Sequence, residues 1–299
     1  MTARQAMWQR MTLLGTLCCL AGSAPAASTP LSPAVPPPPL DAAVAGAGIP
    51  AVEVSGLDDP SERLYGRMLK GMELFERYAP RMPGITLRFR LLGFPTDALR
   101  KPLRLSLITE QSSVPLALAD DFSFTLPQDA ALAAAGARLR ANRHAGSVLW
   151  FADVRSPGVA PDTRRLGDLR LECNIGVVGR VADFPSTPAN LALAALDNPC
   201  GWRGTLFPFL AERAVFGVNL VNGARHQSLS SDMLYGAQLG TGPLARLLYS
   251  GRDWSHLRDR AYQLPLWDDS WPDDTVVTFE YMDDGPAPTA SAAAASRAP

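Results

Sequence analysis

Lysine is nearly missing from this chain of 299 residues: Lys70 and Lys101 are the only two, and every other basic side chain is arginine. Genome composition accounts for that bias as well as arginine chemistry does. The basic residues nowhere form a stretch interleaved with aromatics, so the sequence has no phosphate-tracking surface and no nucleic-acid partner is expected. Histidine is also scarce. His144, His226 and His256 stand singly, which leaves no ligand set with zinc spacing, and no metal or other cofactor is expected. No G-x-S-x-G elbow marks a serine nucleophile, and Gly240-Thr241-Gly242-Pro243 lacks the other glycines and the lysine of a nucleotide loop. These absences remove the common catalytic classes, and no catalytic residue is assigned. An apolar run long enough to cross a membrane is missing too: Met11 to Leu20 supplies about ten residues where about twenty are needed.

That short run has a different use. Arg4 and Arg10 precede it, and Ala24-Pro25-Ala26 follows it, giving the charged, apolar and A-x-A parts of a secretory signal over residues 1–26. The mature chain is therefore expected to be periplasmic or secreted, with no transmembrane span. Cys18 and Cys19 lie inside the signal, but Leu17 or Cys18 precedes them where a lipidated cysteine follows a small residue, so no lipid anchor is expected. Cleavage removes two arginines and no acid, leaving 26 basic and 29 acidic residues and a net charge of −3.

Of the 4 cysteines, only Cys173 and Cys200 then remain, an even pair in a chain bound for an oxidising compartment, and a disulfide between them is predicted. Residues 27–57 are rich in Ala and Pro, with four prolines from Pro36 to Pro39, and read as an extended polyproline linker. Asp58-Asp59-Pro60-Ser61-Glu62 carries helix-start chemistry. Leu64, Met68, Met72 and Phe75 then fall on one face, widened by Leu69 and Leu74, so residues 58–80 are expected to form an amphipathic helix packed on a sheet.

From Ile85 onward the period changes to two. Ile85, Leu87, Phe89 and Leu91 alternate with polar residues, as do Leu103, Leu105 and Leu107, and Phe122, Phe124 and Leu126; these are half-buried strands. His144-Ala145-Gly146 is read as the turn of a hairpin, and Leu166 to Cys173 returns to alternation. The expected fold is mainly β: one or two β-sandwich domains with a few short peripheral helices. The first domain spans 81–172. Residues 173–204 form a disulfide-stapled junction, a second mainly-β domain covers 205–284, and the tail 285–299 is disordered.

The order Ser113-Val114-Pro115-Leu116, Asp120-Asp121-Phe122-Ser123-Phe124-Thr125-Leu126-Pro127 and Leu166-Gly167-Asp168-Leu169-Arg170-Leu171 resembles the carboxypeptidase regulatory-like, or transthyretin-like, β-sandwich domains over residues 84–172. The resemblance implies a sandwich that accompanies secreted enzymes, transporters and adhesins without catalysing anything itself. A second pattern links the two halves. Moved by 113 residues, Leu105, Leu107, Leu116, Phe122 and Leu126 coincide with Val218, Leu220, Leu229, Tyr235 and Leu239, which suggests a repeated sandwich.

The most suggestive polar cluster runs Trp267-Asp268-Asp269-Ser270-Trp271-Pro272-Asp273-Asp274. Exposed tryptophans stack on sugar rings, and paired carboxylates hydrolyse glycosidic bonds. Trp267, Trp271, Asp268, Asp269, Asp273 and Asp274 are thus the candidate binding residues. The sequence reads as an exported, noncatalytic envelope protein binding a protein or glycan partner. Its rival is a periplasmic glycan hydrolase working through those four aspartates.

Overall fold

The computed structural model describes residues 58–93, 102–160, 162–182, 188–203, 205, 207–235 and 255–282, all within a single compact unit. The signal, Cys18 and Cys19, the linker, Leu239 and the tail lie outside the described residues. In chain order the elements are β1 (Pro60–Leu64), α1 (Tyr65–Tyr78), β2 (Thr86–Gly93), β3 (Leu105–Ile108), β4 (Ser113–Leu116) and β5 (Ser123–Phe124). Then come α2 (Ala130–Ala134), β6 (Arg138–His144), β7 (Val148–Arg155), β8 (Thr163–Arg165), α3 (Leu166–Val178), α4 (Pro188–Leu193) and β9 (Phe209–Leu210). The chain closes with β10 (Val215–Asn222), β11 (Arg225–Ser228), β12 (Ala261–Tyr262) and β13 (Val276–Tyr281). The fold is mainly β, with antiparallel sheets ordered β1-β6-β3-β4, β5-β2-β7, β11-β10-β13-β8 and β12-β9.

Two of these sheets are the same object. β1-β6-β3-β4 and β8-β13-β10-β11 have the same strand order, 1-4-2-3 within each half, and both are antiparallel throughout. In each half a helix follows the first strand directly. Its first residue donates to the residue just before the last strand: Tyr65 N–H to Ala137 O and Leu166 N–H to Thr275 O, both at 2.9 Å. The central hairpins share a register as well. Leu105 pairs with Leu116 and Leu107 with Val114; 113 residues on, Leu229 N–H donates to Val218 O at 2.8 Å and Leu220 pairs with Gln227. Phe122 and Tyr235, matched by the same shift, both have φ 58°, a left-handed backbone uncommon outside glycine. The chain is built on an internal repeat.

Each half has its own apolar core, and α3 belongs to both. Leu171 and Ile175 pack with α1 and with the inward residues of the first half, among them Phe89, Leu105, Leu139 and Trp150. Leu166, Leu169, Cys173 and Val177 pack with Val218, Leu220, Tyr262, Trp271 and Val277 of the second half. At the crossing of α1 on α3 the backbones meet at Gly71. A Cβ there would stand 3.0 Å from Ile175 Cγ2 and 3.3 Å from Gly179 Cα, so glycine sets the approach distance.

Three expectations are corrected. Leu166 to Cys173 is helix, not strand. The series 169, 173, 177 and 171, 175 each advance by four, one to each core, and interleaving them mimics a period of two. Residues 58–80 open with a strand, because Glu62 crosses to Arg138 and Arg140 of β6 and Ser61 Oγ accepts from the buried Trp150 Nε1 at 2.9 Å. The helix begins at Tyr65, and Met68, Leu69, Met72, Leu74 and Phe75 of the expected apolar face are buried as read, whereas Leu64 ends β1 and is exposed. Finally, β6 and β7 are joined tightly at His144 but do not pair; they belong to different sheets, and the turn is a corner rather than a hairpin.

Candidate functional site

The polar residues of α3 each reach a different part of the fold. Asp168 accepts from Ser156 N–H at 2.8 Å and from its hydroxyl at 2.6 Å. Cys173 is joined to Cys200, with Cα atoms 6.1 Å apart, as expected. Asn174 holds the same turn, donating to Asn198 Oδ1 at 3.0 Å and accepting from Cys200 N–H at 3.1 Å.

Arg170 serves the Trp and Asp segment singled out from the sequence. Its guanidinium donates to the carbonyls of Leu266, Asp268 and Trp271 at 2.9 to 3.0 Å and pairs with Asp273 at 2.5 Å. The segment is a loop folded around one arginine. Trp271 is 1 % exposed and sits in the second core, with the Arg225 guanidinium 3.6 Å from its ring centre. Trp267 is half-buried under Arg203 at 3.8 Å. Asp268 Oδ1 accepts from Ser270 N–H at 3.1 Å, and its hydrogen bonds from Ser270 hold the carboxyl below the usual aspartate range. Asp274 accepts from Asn222 at 3.1 Å, and Asp269 is exposed. Trp271 is corrected from binding residue to core residue: a ring closed in by protein and covered by a guanidinium offers a sugar no face.

A second site, which the sequence did not single out, lies where the halves meet. A small cleft of about 50 Å³, open to solvent, is lined by Arg90 and Leu91 of β2, Phe151 and Asp153 of β7, Arg164 of β8, Glu172 of α3, Phe209 and Leu210 of β9, and Glu212 and Arg260 beyond them. Its residues come from both copies of the repeat. Arg90 donates to both oxygens of Glu212, at 2.6 and 3.1 Å. Asp153 takes Arg155 at 2.8 Å and Arg88 at 3.0 Å. Glu172 takes Arg164 at 2.5 Å and Val154 N–H at 3.3 Å.

Burial alone would raise all three carboxyls, but the arginines decide two of them. At Asp153 the charges of Arg155 and Arg164 outweigh burial, and at Glu212 the bonds and charge of Arg90 do; both stay below their ordinary values. At Glu172 burial wins over Arg164, and the carboxyl is pushed up. Each carboxylate thus already has its arginine, whereas Arg260 has none among the described residues: its Nε donates to Ala211 O at 2.8 Å. Burial, with repulsion from Arg90, pushes Arg260 down despite Glu212 nearby. Arg164 keeps its Nε buried without an acceptor.

This cleft has no local sign in the sequence, because its charged residues are spread from Arg90 to Arg260 and meet only through the fold. Among the described residues no helix is long and apolar enough to cross a membrane. Compared with protein-family models, curated proteins and solved structures, the chain matches none.

Proposed function

We propose that this chain is an exported, noncatalytic protein of the cell envelope, periplasmic or secreted, that binds a protein or glycan partner in the cleft between its two halves. The cleft carries the reading. It is a small, solvent-open cleft with a predominantly polar lining, bordered by Phe151, Phe209 and Leu210 and furnished with guanidinium groups fixed by ion pairs. The disulfide and the signal-like N-terminus support export. Because Asp153 and Glu212 are held ionised by arginines, neither is set up to donate a proton near neutral pH.

One observation favours a second reading. Glu172 is pushed up while Asp153 and Glu212 are pushed down in the same cleft, the divergence that separates general acid from base in glycoside hydrolysis. A hydrolase would therefore work here rather than through Asp268, Asp269, Asp273 and Asp274. Incubation of the purified protein with cell-wall sacculi separates the two. The leading reading expects no sugar in the supernatant from wild type or Glu172→Gln. Release by the wild type that Glu172→Gln abolishes would overturn it in favour of the hydrolase.

A further inference from the structure

We infer that the cleft binds a ligand through one oxyanion, a carboxylate or a phosphate, held by Arg260 and Arg164, with the ligand's apolar part against Phe151 and Phe209. This rests on the cleft being the binding site and names the chemistry it selects.

Three observations carry the assignment. The first is charge. Three arginines, Arg90, Arg164 and Arg260, and three carboxylates, Asp153, Glu172 and Glu212, line the cleft; Arg90 is paired with Glu212 and Arg164 with Glu172, while Arg260 makes no ion pair among the described residues and bonds only the carbonyl of Ala211. The second is an orphaned donor: Arg164 lines the cleft, and its Nε–H is buried without an acceptor, which leaves the desolvation cost of that group unrecovered. The third is the wall. Phe151, Phe209 and Leu210 border the cleft, and an apolar border strengthens a charge-assisted bond to a guanidinium beside it. Burial and the neighbouring Arg90 make the Arg260 cation costly to hold alone, and an oxyanion removes that cost.

The acids limit what fits. Glu212 and Glu172 flank the site, so a polyanion would be repelled, and a ligand with a single oxyanion beside an uncharged apolar group is the one admitted. The bidentate grip of Arg90 on Glu212 turns that carboxylate toward Arg90 and leaves Arg260 for the ligand.

The test is calorimetric titration of the intact exported protein with inorganic phosphate and with N-acetylalanine, at fixed ionic strength, for wild type, Arg260→Gln, Arg260→Lys and Leu210→Trp. Saturable binding of either probe is expected, and whichever binds more tightly identifies the oxyanion. Arg260→Gln should weaken it by about ten- to a hundredfold, the worth of a hydrogen bond to a charged group, and Arg260→Lys by less. No saturable binding of either probe to wild type, or equal binding by Arg260→Gln, overturns the proposal. Leu210→Trp fills the cleft without changing its charge and should abolish probe binding. If Leu210→Trp abolishes co-sedimentation with cell-wall sacculi while the probes never bind, the oxyanion assignment fails and the cleft reading stands. If the probes bind but Leu210→Trp leaves co-sedimentation with sacculi intact, the cleft reading fails instead.

Discussion

Replacing Trp271 with alanine is expected to lower the free energy of unfolding by about 3–5 kcal/mol, the range for removing a large aromatic from a packed core. The indole is 1 % exposed among Leu220, Leu266 and Val277 of the second core. Its Nε1 has no acceptor, so what is lost is packing and the contact with Arg225 at 3.6 Å, not a hydrogen bond. Trp267, half-buried beneath Arg203 at 3.8 Å, should cost about 1 kcal/mol, the value of a largely exposed cation–π contact. Urea unfolding of the two variants measures both. A Trp271→Ala protein with the wild-type midpoint, defective instead in binding a glycan, would return this residue to the surface role that its neighbours in sequence suggest.

Loss of the Cys173–Cys200 bond is the second large effect. With its ends separated by 27 positions in sequence, opening the loop should cost about 3–4 kcal/mol by releasing entropy to the unfolded chain. The bond is well placed to matter, since Cys173 lies on α3 and both sulfurs are in the second core. The doubly substituted Cys173→Ala, Cys200→Ala protein, compared with wild type in denaturant, reads this cost without leaving a lone buried thiol. Equal stability, or two free thiols in the native protein by intact mass, would remove the bond from the account. A cost of this size also means that the chain reaches full stability only after oxidation.

What was legible in the sequence follows from where the signal was local. The strand carrying Phe89 and Leu91 faces one core only, so its alternation was readable, and β2 is where the period placed it. The stripe from Met68 to Phe75 was readable for the same reason. The shift of 113 residues was visible because the central hairpins, β3 with β4 and β10 with β11, keep the same spacing. The flanking strands do not keep it: β1 and β8 are nearer together in sequence and β6 and β13 farther apart, so no single shift could expose the full four-stranded match. The helix α3 was misread because it is buried on two opposite sides. Its loss hid the cleft, since Glu172 became a strand residue facing solvent instead of a carboxyl at the meeting of two cores. The Trp and Asp loop drew attention by composition alone; that Arg170 holds it by its backbone carbonyls leaves no trace in side-chain pattern.

The central claim is that the partner enters the cleft between the repeated halves. A photo-crosslinking residue placed at Leu210, on the cleft wall, and in parallel at Val114, exposed on the far hairpin, tests it inside cells. The account predicts one discrete adduct from position 210 in the exported fraction, suppressed by inorganic phosphate or N-acetylalanine, and none from position 114. Adducts of equal yield from both positions, or none from position 210, would contradict it.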